Sequence, residues 1–102
     1  MTTDEIKVDA QYFASQAEGW ISDSFSYADD DDVVDFSNYF TNPLEGYWEW
    51  AQMMGYDELT EDEMQLFESV VIAEYKEMIW NAVEEYGFKC VDLWGTKFQK
   101  IQ

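Results

Sequence analysis

The chain has 102 residues, which is the size of a single domain, here residues 1–102, with one hydrophobic core. Its formal net charge of −18 comes from 23 acidic residues against 5 basic ones, yet 19% of its residues are aromatic. Disordered acidic chains are poor in aromatic residues, so the composition predicts a folded acidic domain and excludes a disordered acidic tail.

The first predicted element is an amphipathic helix over residues 3–21. Thr2 followed three residues later by Glu5 is typical of a capping box at a helix start. Apolar residues then recur at three- and four-residue spacing, which indicates one buried helix face. That face is predicted to hold Ile6, Ala10, Phe13, Ala14, Ala17, Trp20 and Ile21.

A loop or a short extended segment over residues 22–27 is expected next, because this stretch mixes polar and aromatic residues. Four consecutive aspartates follow at positions 29–32. Such a run is unfavourable inside a helix but is tolerated at its start, where the helix dipole favours negative charge. We therefore predict a short helix over residues 33–39, with Val33, Phe36 and Phe40 facing inward.

Another helix start lies at residues 42–45, where Asn42 fits the N-cap and Pro43 fits the first helical position. This helix is predicted to end at Gly55. Its inward-facing set is predicted to be Tyr47, Trp48, Ala51 and Met54, with Trp50 nearer the edge.

The longest predicted element is a helix over residues 60–87. Thr60 and Glu63 form a capping box at its start, and Gly87 supplies a C-terminal cap. At about 100° per residue, one face collects Met64, Val71, Ile72, Tyr75, Ile79, Ala82, Val83 and Tyr86. The opposite face collects Glu63, Glu74, Glu77, Glu84 and Glu85. Glu68 falls inside the apolar arc, where pairing with a C-terminal lysine or reaching to the rim is favoured over a catalytic role with a raised pKa.

After Gly87 the pattern alternates, which predicts a strand from Phe88, a turn at residues 95–96 and a return strand over 97–101. Three of the five lysines lie in this segment: Lys89, Lys97 and Lys100. The predicted fold class is mainly α, with three to four helices around one long helix in the C-terminal half. A small C-terminal β-hairpin would make the fold α+β.

Sites for common enzymatic chemistry are missing from the sequence. One cysteine, Cys90, and no histidine exclude an internal disulfide, Cys/His zinc sites and Ser-His-Asp or Cys-His nucleophiles. The aspartate run does not match a calcium loop, because valines and a phenylalanine occupy required positions, which leaves weak cation binding as an alternative. Two carboxylates meeting in a cleft stay open as an acid/base pair. We expect no enzyme activity, no metal and no cofactor.

The N-terminus lacks the basic and apolar segments of a secretion signal. No apolar run approaches the roughly 20 residues of a membrane span, and an anionic bilayer would repel this chain. We therefore expect a cytoplasmic protein without a membrane partner.

The density of negative charge is comparable to that of DNA. Duplex DNA carries one negative charge per roughly 1.7 Å of axis, so −18 corresponds to about 30 Å of duplex. Such a surface repels nucleic acid and attracts proteins that hold nucleic acid in basic channels. The predicted partner is a basic nucleic-acid-binding protein or nuclease complex, and a homodimer is left open.

Candidate partner-binding residues are of two kinds. The candidates for phosphate mimicry are Asp29, Asp30, Asp31, Asp32, Glu63, Glu74, Glu77, Glu84 and Glu85. Tyr47, Trp50 and Tyr56 lie near acidic positions. As an alternative to the inward position given to Tyr47 above, these three are candidates for exposed aromatic anchors, because aromatic residues are common hot spots of protein interfaces. The remaining aromatic candidates, Trp48, Tyr75 and Trp80, are most simply core or near-core residues.

In size, charge, Tyr/Trp content and lack of a catalytic set, the whole chain resembles the small acidic DNA-mimic inhibitors of phages and mobile elements, which include anti-restriction and anti-CRISPR proteins. The resemblance is one of type and aligns no motif. It implies an inhibitor that blocks the DNA- or RNA-binding groove of a bacterial defence nuclease. The alternative is an acidic adaptor or immunity-type protein that binds a basic partner away from its nucleic-acid site. The lysine-bearing C-terminal segment departs from a uniformly acidic mimic and is either structural or a second contact surface.

Overall fold

The computed structural model describes residues 2–55 and 58–102, which form helices and one small sheet. In chain order the elements are α1 (Thr3–Ser15), α2 (Glu18–Ser26), β1 (Val33–Asp35), α3 (Ser37–Thr41), α4 (Tyr47–Met54), α5 (Glu61–Tyr86), β2 (Phe88–Cys90) and β3 (Lys97–Lys100). The predicted class, mainly α around one long helix with a small C-terminal β element, is confirmed.

The long helix α5 begins and ends where the sequence predicts. The Thr60 hydroxyl oxygen accepts a hydrogen bond from the backbone N–H of Glu63 at 3.2 Å, and the Glu63 carboxylate accepts one from the backbone N–H of Thr60 at 3.0 Å. At the other end Gly87 has a φ of 73°, in the left-handed region that ends helices. Glycine adopts this conformation without the steric cost of a Cβ atom.

The buried face of α5 is a row of residues four positions apart: Phe67, Val71, Tyr75, Ile79 and Val83. Such a row is inclined to the helix axis, so the buried arc changes direction along the helix. The predicted apolar face omitted Phe67, which is fully buried, and included Glu68, which is exposed. Glu68 therefore faces solvent and needs no buried partner.

The predicted helix over residues 3–21 is two helices, and the loop or extended segment predicted over residues 22–27 is wrong, because α2 continues to Ser26. The backbone N–H of Ala17 donates to the carbonyl of Ala14 at 3.0 Å, the tighter spacing of a 3₁₀ turn, between α1 and α2. In α2 the buried residues are Ile21 and Phe25, four positions apart. Trp20 directly precedes Ile21 and so points away from that row, with 69% of its surface exposed.

A strand replaces the first part of the helix predicted over residues 33–39. β1 pairs antiparallel with β3, and Val34 lies opposite Phe98. Because side chains alternate along a strand, Val34 faces the core while Val33 faces outward and is 53% exposed, contrary to its predicted inward position. Phe36 is buried as predicted, and Phe40 is half-buried.

The sheet has the strand order β1-β3-β2, with β3 in the centre. The predicted C-terminal hairpin corresponds to β2 and β3, whereas β1 adds a third strand that the sequence did not predict. The Phe98 side chain of β3 is fully buried, with its ring 6.0 Å from Phe25, 6.2 Å from Phe36 and 5.2 Å from Trp80. The sheet thereby covers the hydrophobic core beside the C-terminal end of α5.

Helix α4 begins at Tyr47, after turns over residues 42–46 rather than at Pro43. Its buried side chains are Tyr47, Trp50 and Ala51. The predicted inward positions of Trp48 and Met54 are wrong, because these side chains are 67% and 52% exposed. The two polar residues of this helix, Glu49 and Gln52, lie about 60° apart on the helical wheel. The buried side chains lie on the side opposite to them, so the helical period was a usable signal for this face.

Candidate partner-binding surface

Four candidate glutamates lie on one side of the C-terminal part of α5. At about 100° per residue, Glu74, Glu77, Glu84 and Glu85 fall within an arc of roughly 100°, and we call this set the acidic face. Glu74 is half-buried and the other three are exposed. The eleven-residue separation of Glu74 and Glu85 corresponds to about 16 Å along the helix. The acidic face is therefore a line of carboxylates on a helix capped at both ends.

The fifth candidate of this helix, Glu63, has a structural task at the helix start. The backbone N–H of Thr60, and then its side-chain hydroxyl, hydrogen-bond to the Glu63 carboxylate and lower its pKa. Glu63 also lies eleven residues before Glu74, about 16 Å away along the axis. The capping box and this distance separate Glu63 from the acidic face.

The four candidate aspartates Asp29, Asp30, Asp31 and Asp32 form an exposed loop between α2 and β1, which we call the aspartate loop. The loop is a turn, because the backbone N–H of Asp32 donates to the carbonyl of Asp29 at 3.1 Å. The Asp32 carboxylate in turn accepts the backbone N–H of Asp29 at 2.9 Å. These two bonds give the loop a defined shape.

The C-terminal segment holds the aspartate loop in place. Lys100 Nζ lies 3.6 Å from Asp30 Oδ1, and the Gln102 amide donates to the Asp30 carbonyl at 3.0 Å. The Lys97 side chain lies opposite Asp35 in the β1–β3 register. Hydrogen bonds from Ser37 lower the Asp35 pKa most, and the charge of Lys97 lowers it further. The structure thus gives Lys97 and Lys100 acidic neighbours within the chain.

Two of the three predicted aromatic anchors are buried, so that part of the prediction is wrong. Tyr47 and Trp50 are only 3% and 5% exposed, and burial raises the pKa of Tyr47. Both rings pack on Phe67, at centroid distances of 5.2 and 5.9 Å, and Trp50 also packs on Phe13 at 5.5 Å. Tyr56, the third anchor, lies outside the described residues.

Other aromatic side chains are exposed instead. The described residues with large exposed aromatic surface are Tyr12, Trp20, Tyr27, Trp48, Trp80 and Trp94. Trp48 and Trp80 were expected in or near the core, and Trp80 is 43% exposed although its ring contacts Phe98. The helical period placed Trp80 about 180° from Val71, which was a usable signal for its exposure. No comparable signal identified Trp20.

Within residues 2–55 and 58–102, no group of acidic or cysteine side chains is arranged to hold a metal ion. None of the helices in the same part of the chain combines the length and apolar content that crossing a bilayer requires. Comparison with protein-family models, with curated proteins and with solved structures returned no significant match.

Proposed function

We propose that the protein is a stoichiometric, non-catalytic inhibitor that mimics the charge of nucleic acid. Its target is the DNA- or RNA-binding groove of a bacterial defence nuclease, either a CRISPR effector or a restriction enzyme. The observation that carries the proposal is the acidic face, a line of carboxylates on a rigid helix. A protein of this type would be carried by a phage or mobile element and act in the cytoplasm of the bacterial host.

The average density of the charges supports mimicry. The four glutamates of the acidic face span about 16 Å, an average of one carboxylate per roughly 5 Å with the widest gap, about 10 Å, between Glu77 and Glu84, whereas one DNA strand carries a phosphate per about 3.4 Å of axis. The whole molecule is 48 Å long and carries a net charge of −18, which is one charge per about 2.7 Å of its length. Both densities are within a factor of two of the corresponding DNA values.

The physical consequence is competition for cationic grooves. Nucleases bind nucleic acid largely through lysine and arginine contacts to phosphate, with a strong dependence on salt. A folded polyanion presents its charges without the entropy cost of ordering a flexible chain. It would approach such a groove by electrostatic steering and exclude the nucleic acid from it.

The first experiment identifies the target and the second tests the mechanism. Tagged protein is used to retain partners from bacterial lysate at low and at high salt, and inhibition of the retained nuclease is then measured. We expect the triple variant Glu77→Lys, Glu84→Lys and Glu85→Lys to lose inhibition, because repulsion replaces attraction at three contacts. Its circular dichroism should match that of the unmodified protein, since all three side chains are exposed. Undiminished inhibition by this variant would rule out mimicry by the acidic face.

A matched control distinguishes the effect of where the charges lie from the effect of the net charge. The variant Glu18→Lys, Asp23→Lys and Glu68→Lys changes the net charge equally at three exposed positions outside the acidic face. We expect it to retain most of the inhibition. An equal loss in both variants would mean that net charge, rather than the acidic face, determines binding.

The exposed aromatic side chains favour a second candidate function, that of an acidic adaptor or immunity-type protein. Trp20 and Trp48 are 69% and 67% exposed, and aromatic side chains are frequent hot spots. An adaptor would bind its basic partner away from the nucleic-acid site. Duplex DNA displaces a mimic from the target but leaves an adaptor in a ternary complex, so a competition assay distinguishes the two.

A further inference from the structure

An open groove lies between the start of α2, the segment over residues 38–46 and helix α4. Two adjoining hollows of about 450 and 250 Å³ form it, and both are lined by Ala17, Trp20, Glu45, Gly46 and Tyr75. The larger hollow is within the size range of small-ligand sites. We call this feature the aromatic groove.

Aromatic rings form the walls of the aromatic groove. Tyr39 and Tyr75 meet edge to face, with centroids 5.0 Å apart, and the Tyr75 hydroxyl donates to the carbonyl of Pro43 at 3.3 Å. These contacts fix both phenol rings. Trp20 belongs to the same lining, yet 69% of its surface is exposed, which leaves much of its indole ring uncovered.

Two carboxylates give the aromatic groove a negative potential. Glu45 lines both hollows and Glu49 lines the smaller one. Burial raises the pKa of Tyr75 to about 12, with further contributions from Tyr39 and Glu45, and burial and Glu45 also raise the pKa of Tyr39. Both phenols therefore stay neutral near pH 7. In the described part of the chain, no lysine forms an ion pair with either glutamate.

We propose that the aromatic groove binds an arginine side chain of the protein's basic partner. A guanidinium group is planar and weakly hydrated, so it stacks on an aromatic face such as that of Trp20 while pairing with a carboxylate such as that of Glu45. Because the partner is taken to be basic, the inference rests on the proposed function and adds a specific contact to it.

Other occupants fit the groove less well. An apolar side chain would remove water from Glu45 without supplying a partner for its charge, which is unfavourable. An anion would be repelled by Glu45 and Glu49. A lysine would satisfy the charge, but its compact, strongly hydrated ammonium lacks the planar surface that stacks on a ring.

The test uses the intact isotope-labelled chain and a short peptide, acetyl-Gly-Arg-Gly-amide, followed by NMR. We expect the indole N–H signal of Trp20 and the methyl signal of Met53, which also lines the groove, to shift and saturate. The signal of Trp94, in the connection between β2 and β3, should stay unchanged. The same peptide with citrulline has the same shape without the charge and should produce no saturable shift, and the lysine peptide should bind more weakly than the arginine peptide.

Single substitutions then test the two contacts. Trp20→Ala and Glu45→Gln should each weaken peptide binding about two- to fivefold, the range expected for an exposed cation–π contact or ion pair. Trp48→Ala and Glu68→Gln are matched controls, since Trp48 is exposed to nearly the same extent as Trp20 and neither side chain lines the groove. These two should bind as the unmodified protein does. Unchanged binding by Glu45→Gln, or equal shifts with the citrulline peptide, would overturn the proposal.

Failure of this inference is distinguishable from failure of the proposed function, because the peptide experiment needs no nuclease. Absence of peptide binding removes the aromatic groove as an arginine site and leaves mimicry by the acidic face intact. Conversely, arginine binding together with full inhibition by the Glu77, Glu84 and Glu85 variant would remove the mimicry and leave the groove as the principal contact.

Discussion

Among single residues, Asp92 has the most hydrogen-bonded side chain in the connection between β2 and β3. Its carboxylate accepts the Thr96 hydroxyl at 2.6 Å and the backbone N–H groups of Thr96 and Lys97 at 3.0 and 3.1 Å. The bond from the Thr96 hydroxyl contributes most to holding the pKa of Asp92 well below its usual range. The connection so fixed presents Leu93 and Trp94 to solvent, at 95% and 80% exposure.

We expect Asp92→Asn to lower the Tm at pH 7, because it removes the negative charge that these donors stabilise. A carboxyl group whose folded pKa is depressed contributes stability above its unfolded pKa of about 3.9 and loses that contribution as the pH falls below it. The Tm difference between the unmodified protein and Asp92→Asn should therefore be largest near pH 7 and shrink below about pH 4. Thermal unfolding followed by circular dichroism between pH 7 and 3 measures it.

Using the difference between two proteins cancels the general effect of protonating the other acids. Asp23→Asn, at an exposed position of α2, is the control and should show no comparable gap in Tm. A gap for Asp92→Asn that stays constant from pH 7 to 3 would contradict an ionised, hydrogen-bonded Asp92.

At the scale of helices and strands, the sequence predicts the features that depend on residues close together in the chain. The caps of α5 are local, since Thr60, Glu63 and Gly87 act within a turn of the helix ends, and both caps are confirmed. Strand β1 could not be predicted, because its backbone pairs with β3 more than sixty residues later in the chain. The break at residues 16–17 was missed because the apolar spacing continues through it.

Packing on the rest of the core completes the buried face of α4. Tyr47 and Trp50 are buried because they meet Phe13 and Phe67, whereas the equally apolar Trp48 meets no such surface and is exposed. The candidate site could be predicted from the sequence in part. The acidic face followed from the helical period, which was also a usable signal for the exposure of Trp80, whereas the exposure of Trp20 required the fold.

Which face of α5 is buried can be tested at two adjacent positions, Phe67 and Glu68. We expect Phe67→Ala to cost about 3–5 kcal/mol of unfolding free energy, because it leaves a cavity where a fully buried ring packs on those of Phe13, Tyr47 and Trp50. Glu68→Ala, at the next and exposed position, should change it by less than about 0.5 kcal/mol. Urea denaturation measures both.

The milder Phe67→Leu, expected to cost about 1 kcal/mol, keeps the comparison measurable if Phe67→Ala does not fold. A larger loss at Glu68 than at Phe67 would place the buried arc where the simple helical period predicted it, with Glu68 inside.

At the scale of the whole molecule, the charge that suits a cationic partner opposes folding. A net charge of −18 on a body of 48 × 25 × 19 Å brings many carboxylates within one Debye length of each other at low salt. The ion pair between Lys100 and Asp30 offsets little of this repulsion, since exposed pairs contribute at most about 1 kcal/mol. The hydrophobic core, rich in phenylalanine, therefore has to outweigh the repulsion.

Because the same negative charge opposes folding and favours binding to a cationic partner, we expect salt to change stability and binding in opposite directions. Raising the KCl concentration from about 20 mM to about 500 mM shortens the Debye length several-fold, so the Tm should rise as the repulsion is screened. Over the same range, affinity for the cationic target should fall, because the same screening weakens steering and charge pairing. Differential scanning calorimetry and equilibrium binding to the retained nuclease measure the two effects.

The internal control is the triple variant Glu77→Lys, Glu84→Lys and Glu85→Lys. Each substitution changes the net charge by +2, so the three together reduce it from −18 to −12. Its Tm should rise less with salt than that of the unmodified protein. A Tm independent of salt in the unmodified protein would show that repulsion is not a significant cost of this fold. If the Tm rises while target affinity is unaffected, the interface is aromatic rather than electrostatic, and the adaptor function is then favoured over mimicry.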